Sequence, residues 1–566
     1  MLKRCWFLAV VLAATAFVVE GCRSADSKDP KTEVRSASLG GKAKSKIEAE
    51  DAAAKAHAHY AAGVIHDINE DADAALQEYY EAAKADPEND ALILEVSRRY
   101  TQNKQYEKAL ELLSRAAARP NAPGTIYANL GFIYLQMGKQ EQAIAANKAA
   151  IKKSPGSLTG YQNLFLSYLQ LKQPQEALKV LDEAAKQAKS SIEFLINLSE
   201  LYANFGVQVP AQKEVANSKA LQLLKRAEKM NPRNPPIRLK LADGFNLLGD
   251  SAKAAQIYVD VLKTLPDLPQ VRERVRAKLT DIYLRSSDRK AAIEQLEGII
   301  RDDPTNAQAY YSLASILYEE KRFAEAAEHF SKTILLNPDF EQAYYDLASS
   351  QISVSKTSDA LATLERARRR FSQNFVLEFM TGMAFTREKA YGEAVKHFTA
   401  AEVVARATEP KRLNQVFYFQ LGAAYERKGD YAESEKYFEK CLELAPDFAE
   451  ALNYLGYMWA ERGVKLDKAR EFIEKAVKLE PNNAAYLDSL GWVLFKQKQP
   501  EVALQNILKA TELSEEPDAT LYDHLGDVYA ALNQPEKAIE AWRKSLSVEA
   551  NEEVRKKVDA RSNDNP

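Results

Sequence analysis

Residues 127–134 read YANLGFIY, an apolar stretch interrupted by one amide, Asn129. Thirty-four residues on, 161–168 read YQNLFLSY, and after another thirty-four, 195–202 read LINLSELY. Leu130, Leu164 and Leu198 keep one interval, as do Tyr134, Tyr168 and Tyr202. So do Asn129, Asn163 and Asn197. A hydrophobe that returns at a fixed interval is a packing position. A returning asparagine needs another reason.

Outward from this stretch, one pattern recurs from about 51 to 550. It runs aromatic or Leu, then Leu-Gly or Leu-Ala three residues on, a Tyr, an Ala, a large apolar residue, another Ala and a proline. Clear copies carry Tyr127, Leu130, Gly131, Tyr134, Ala143, Ala150 and Pro155, and again Tyr418, Leu421, Gly422, Tyr425, Phe438 and Pro446. Ala292, Ala326, Ala360 and Ala394 keep the same interval, as do Pro304 and Pro338. Small residues let two helices approach, large ones fill the groove between them, and proline cannot continue the second helix. The pattern resembles the tetratricopeptide repeat, a helix–turn–helix unit of about 34 residues. The resemblance implies an all-α, right-handed superhelix (an α-solenoid) of about fourteen repeats. Residues 203–218 read as a lengthened turn inside the fifth unit, and 402–416 as a lengthened connection before the eleventh.

Composition agrees with an array. The chain has 566 residues, 28% of them charged, and a formal net charge of −3, which argues against a nucleic-acid-binding polyelectrolyte. A chain this long normally splits into globular domains, whereas an array needs no single growing core. The three cysteines, Cys5, Cys22 and Cys441, form no CxxC pair and no even-numbered disulfide set. Cys441 sits in a helical pattern and reads as a small core hydrophobe.

The first residues read as an address. Lys3 and Arg4 precede an apolar run from Cys5 to Val19, short of the ~20 residues needed to span a bilayer but suited to a signal peptide. The run ends at Val19-Glu20-Gly21-Cys22, which resembles a bacterial lipobox, with Glu20 as its departure from the usual small or apolar residue. That resemblance implies lipidation at Cys22, and Arg23 in the next place points to the outer membrane. The alternative is a plain secretory signal cut near Ala14–Ala16. The domain reading is therefore 1–21 lipoprotein signal peptide, 22–50 disordered tether, 51–402 N-terminal and central array, 403–550 C-terminal array and 551–566 charged tail. The last units, with NYLGYMWAERG and YLDSLGWVLF, resemble the C-terminal repeats of bacterial tetratricopeptide lipoproteins.

In this family the first helix of each unit lines a concave groove. Asn129, Asn163 and Asn197 fall at one groove position and resemble the asparagine ladder of O-linked N-acetylglucosamine transferases, which implies a grip on an extended peptide backbone. A carboxamide offers both a donor and an acceptor to each peptide unit. Further groove candidates are Tyr454, Tyr457 and Trp492, aromatic residues of the kind that dominate binding energy. Asp488, Asp523 and Asp527 add an acidic rim. Lys240, Arg274 and Lys278 form a candidate anion-binding stretch, although Lys240-x-x-Asp243 and Lys278-x-x-Asp281 read first as ion pairs.

No HExxH, Walker A, GxGxxG or GxSxG occurs, and the sequence points to no enzyme, no metal and no cofactor. The expectation is a scaffold tethered by lipid on the periplasmic side of the outer membrane. Its partners would be envelope proteins or extended peptides, in envelope assembly or secretion, with no nucleic acid. The alternative is a component of polysaccharide export that contacts an anionic glycan.

Overall fold

A computed structural model describes residues 41–265 and 268–563. The signal-peptide and Cys22 readings lie outside the described residues, as does most of the tether. The described chain holds twenty-nine α-helices, numbered α1 to α29 in order, and two short 3-10 turns. It divides into two compact units, 1–232 and 233–566, which are taken separately below.

The first unit holds the helix pairs from α1 (Gly41–Ile68) to α10 (Lys213–Lys229). The second runs from α11 (Pro235–Leu247) through α28 (Pro535–Val548) and ends on α29 (Glu552–Asn563). Within each compact unit, successive helices pack as pairs, and each pair packs on the next. Fourteen pairs result, as the spacing predicts. Among the described residues no helix is long and apolar enough to cross a membrane.

The repeat chemistry explains the pairs. Ala292, Ala326, Ala360 and Ala394 are fully buried, each where a second helix crosses its partner. Leu-Gly glycines permit the close approach: a β-carbon on Gly422 would press on Phe438, one on Gly491 on Ile507, and one on Gly526 on Trp542. The turns within pairs close on a left-handed residue, as at Lys104, Gly138, Lys172, Lys321 and Lys389. Beyond it an amide reaches back across the turn, Lys139 N–H to the Tyr134 carbonyl (2.8 Å) and Gln173 N–H to that of Tyr168 (2.9 Å). This arrangement satisfies helix-end carbonyls. Asp250, Asp288 and Asp430 cap second helices by accepting the amide three residues on.

Four readings change. Residues 203–218 are not a long turn: α9 (Ile192–Gln208) and α10 both extend, joined by a 3-10 turn at Pro210–Gln212. Phe205 and Ala216 are fully buried there, so the insertion lengthens the packed pair. Likewise 402–416 extends α20 (Tyr391–Thr408) and buries Glu402 and Ala405. At the chain's end, α29 occupies the stretch read as a charged tail, because Val554 and Val558 cover the apolar face of α28 beside Trp542. The helix α1 begins ten residues ahead of the array start read from sequence.

One pair departs from its siblings. Asn147 on α6 (Gln140–Lys153) faces Gly131, the place that Phe398, Phe438 and Trp542 fill opposite Gly382, Gly422 and Gly526. It is fully buried, and neither amide atom has a hydrogen-bond partner. An unpaired buried polar group costs about 1–3 kcal/mol. Asn147→Leu, which keeps the branched outline but puts carbons in place of the two amide atoms, is therefore expected to stabilise this pair by at most about that amount. Slower hydrogen exchange in α5 (Gly124–Gln136) and α6 is the check, and faster exchange would contradict it.

Candidate functional site

The asparagines are not equivalent. Asn163, on α7 (Leu158–Gln170), is buried and donates its amide to the Ala128 carbonyl on α5 (2.8 Å). It ties neighbouring first helices together. Asn129 is half-buried and donates to the Thr125 carbonyl of its own helix (2.9 Å). Asn197 on α9 is half-buried. Only Asn129 and Asn197 therefore keep the exposure that a peptide grip requires. Asn163→Ala is expected to cost about 1 kcal/mol, the net worth of one buried hydrogen bond, and Asn129→Ala almost nothing. Urea unfolding of the two variants separates them.

The basic stretch is largely committed. In the second unit, Lys278 on α13 (Pro269–Arg285) pairs with Asp243 on α11 and stands over the Tyr258 ring. Arg276 shares Asp302 with Arg272, each at 3.2 Å. Arg285 pairs with Asp281 of its own helix. Lys240 and Arg274 are exposed. Lys278 thus pairs with Asp243 of the neighbouring repeat and not with Asp281 of its own helix, which pairs with Arg285.

The C-terminal aromatics and acids do come together. Their scaffold is α21 (Gln415–Lys428), α23 (Ala449–Glu461), α25 (Ala484–Lys496) and α27 (Ala519–Ala531), the first helices of the last four pairs. Trp492 is buried against His524, ring centroids 3.9 Å apart and nearly parallel. Its indole N–H donates to Glu461 Oε2 (2.6 Å), and Lys496 lies over its other part. His524 in turn is held at Nδ1 by the Asp488 carboxylate (2.9 Å). Tyr457 stands 6.1 Å from the His524 ring. Burial pushes its hydroxyl well above the ordinary range, with Glu461, Asp488, Asp518 and Glu426 adding to the effect. Tyr454 packs edge-on to Phe419 and accepts a hydrogen bond from Arg427 Nε (3.1 Å).

The acidic rim has a partner within the chain. Lys557 of α29 donates to Asp523 (2.7 Å) and Asp527 (2.8 Å), and Asp527 also accepts the Trp542 indole N–H (3.0 Å). Burial holds the Asp527 carboxyl above its usual range. Two cavities flank Tyr457. One of about 570 Å³ opens between Glu426, Asn453, Tyr454 and Asp488, and one of about 370 Å³ between Trp492, His524 and Lys557. Both are of ligand size.

Sequence reasoning missed His524, Asn453 and Glu426. All three fall at groove positions by the repeat register, so the register itself was the available signal. It also missed a buried charge cluster. Glu378 on α19 (Phe375–Arg387), 1% exposed, meets His397 Nδ1 of α20 (2.6 Å) and Arg368 of α18 (Thr357–Arg370). Burial pushes this carboxyl up, but hydrogen bonds from His397 and Arg368 outweigh it and hold the group at about 2. Cys441 is fully buried and its thiol is pushed up to about 12, which suits packing and not reaction. Among the described residues no group of three or more His, Cys, Asp or Glu side chains could hold a metal ion.

Family profiles described as tetratricopeptide repeat match residues 124–155 and 416–448, 278–339 and 345–410, and 458–554. Together these cover more than half of the chain. Among solved structures, the Cut9–Hcn1 hetero-tetramer of the APC/C aligns over 82% of this chain and 95% of its own, at 15% identity and a TM-score of 0.39. Yeast Tom70 aligns over 83% and 94%, at 16% identity and a TM-score of 0.34. YrrB, described as having an unusual peptide-binding site, aligns over 35% and 97%, at 21% identity and a TM-score of 0.29. No curated protein matches the chain.

Proposed function

Because the chain belongs to the tetratricopeptide-repeat family, whose repeats form protein–protein interaction scaffolds, we propose that it binds an extended segment of a partner protein in the groove of its C-terminal repeats. The observation that carries this is the cluster of Tyr454, Tyr457, Trp492 and His524 beside two cavities of ligand size. Aromatic anchors in a concave, partly desolvated surface are where interface energy concentrates. Asn129 and Asn197 offer further contacts in the first unit.

The address at the N-terminus supports a lipid anchor at Cys22, which would place the array on the periplasmic side of the outer membrane, in envelope assembly or secretion. Labelling cells with a fatty-acid analogue should mark the wild type and spare Cys22→Ser. The alternative, an anionic glycan along Lys240, Arg274 and Lys278, has less support, since Lys278 is spent on Asp243.

Lysine-reactive crosslinking in intact cells, read by mass spectrometry, tests the scaffold reading. Lys496 lines the groove, whereas Lys509 is exposed on the second helix α26 (Pro500–Leu513). Partner polypeptides should link to Lys496 in preference to Lys509. The reverse preference would remove the groove from the account.

A further inference from the structure

Two acceptor atoms among the residues that line the larger cavity, about 570 Å³, make no hydrogen bond. Glu426 and Asn453 both line it, and Glu426 Oε2 and Asn453 Oδ1 are withdrawn from solvent and make no hydrogen bond, Glu426 having only the Arg427 ion pair and the Tyr454 hydroxyl to offset a burial that pushes its carboxyl up. Buried polar atoms are almost always paired, so two unpaired acceptors in one cavity are informative. The other carboxylates there are already engaged: Asp488 holds His524, and Asp518 caps α27 by accepting the Thr520 amide (2.7 Å). Arg427 is the one cation among the lining residues. It stands 3.4 Å from Glu426 Oε2, but its Nε–H goes to the Tyr454 hydroxyl and the side chain is more than half exposed.

The cavity thus offers acceptors, negative charge and two aromatic walls, and among its lining side chains no unpaired buried donor. Resting on the scaffold reading above, we infer that it receives the cationic side chain, Lys or Arg, of an extended partner peptide. The ammonium or guanidinium donates to Glu426 Oε2 and Asn453 Oδ1, and the aliphatic stem lies along Tyr454 and Tyr457. Charge-assisted hydrogen bonds of this kind are short and strong, and cationic heads over aromatic faces gain further attraction. An acidic peptide would meet Glu426, Asp488 and Asp518 instead, which makes the site selective by charge.

The test uses the full chain and two fluorescein-labelled peptides, (Gly-Ser-Arg-Ser)3 and (Gly-Ser-Glu-Ser)3, followed by fluorescence anisotropy at two salt concentrations. The arginine peptide should bind and the glutamate peptide should not. Glu426→Gln and Asn453→Leu should each weaken binding about tenfold, the worth of one good hydrogen bond to a charged group. Glu501→Gln, on the second helix α26, should leave it unchanged. Asn453→Leu should unfold no earlier than the wild type, because it removes an unpaired acceptor, so its lost binding cannot be ascribed to misfolding. Equal affinity for wild type and both groove variants overturns the inference, as does equal binding of the two peptides. Binding of neither peptide, while Lys496 still crosslinks partners, overturns this inference and leaves the scaffold reading standing.

Discussion

Replacing Glu378 with Gln is expected to loosen α18 to α20 by about 3 kcal/mol, the order of loss when one member of a buried ion pair is removed. The carboxylate is 1% exposed and answers both Arg368 and His397, so its removal leaves His397 without that partner and Arg368, only partly in solvent, with Glu365 at 3.7 Å as its remaining carboxylate. Helix pairs in an array touch only their neighbours, so the loss should stay local. Amide exchange over 357–408 should accelerate about a hundredfold, since 1.4 kcal/mol is a factor of ten, while α5 and α6 keep their wild-type rates. Acid should reproduce the effect in the unaltered chain. The carboxyl stands at about 2 when folded and at the ordinary 4.5 when free. Its contribution is therefore complete above about pH 4.5 and is lost as pH falls through 2. A carboxyl so depressed carries about 3 kcal/mol. Local protection in 357–408 that stayed constant from pH 5 to pH 2 would contradict the arrangement.

Trp492→Ala should cost about 3–5 kcal/mol in the last four pairs, the usual range for truncating a buried aromatic. The ring is 5% exposed and fills the space between Phe495 and His524. Trp492→Phe keeps an aromatic stack but leaves Glu461 without the indole N–H, and should cost about 1–2 kcal/mol. Trp459 and Trp542, on neighbouring pairs, report the unfolding by fluorescence in urea. A phenylalanine variant as unstable as the alanine one would mean that the hydrogen bond, and not the ring stack, holds the site.

The fold was legible because packing repeats. Ala292, Ala326, Ala360 and Ala394 share one interval and one fate, full burial, and Gly422 with Phe438 shows why the small and large positions recur. The insertions were misread because extra residues that continue a helix carry no Gly or Pro cluster different from those that form a loop. Pro210 and Pro410 were read as loop residues, yet each begins a single 3-10 turn between long helices. The polar clusters were harder. Glu378 lies one repeat beyond Tyr344, a core position, so the register alone signalled a buried charge; its partners sit ten and nineteen residues away on other helices, where no periodicity connects them. Asn163 and Asn129 occupy the same register, and only the approach of α5 to α7 decides that one amide is spent on Ala128. That Tyr454, Tyr457 and Trp492 come together was visible as a line of aromatics. That Asp523 and Asp527 meet Lys557 was not, because Lys557 lies in a stretch too charged to read as a packed helix.

Site-specific photo-crosslinking puts the groove to the most direct test. A photo-reactive phenylalanine at Tyr457, between the two cavities, should capture a partner polypeptide in intact cells. The same probe at Val502, exposed on the second helix α26, should capture none. Adducts at 502 without adducts at 457, or none at 457 in cells where Lys496 crosslinks to a partner, would contradict a peptide-binding groove in the C-terminal repeats.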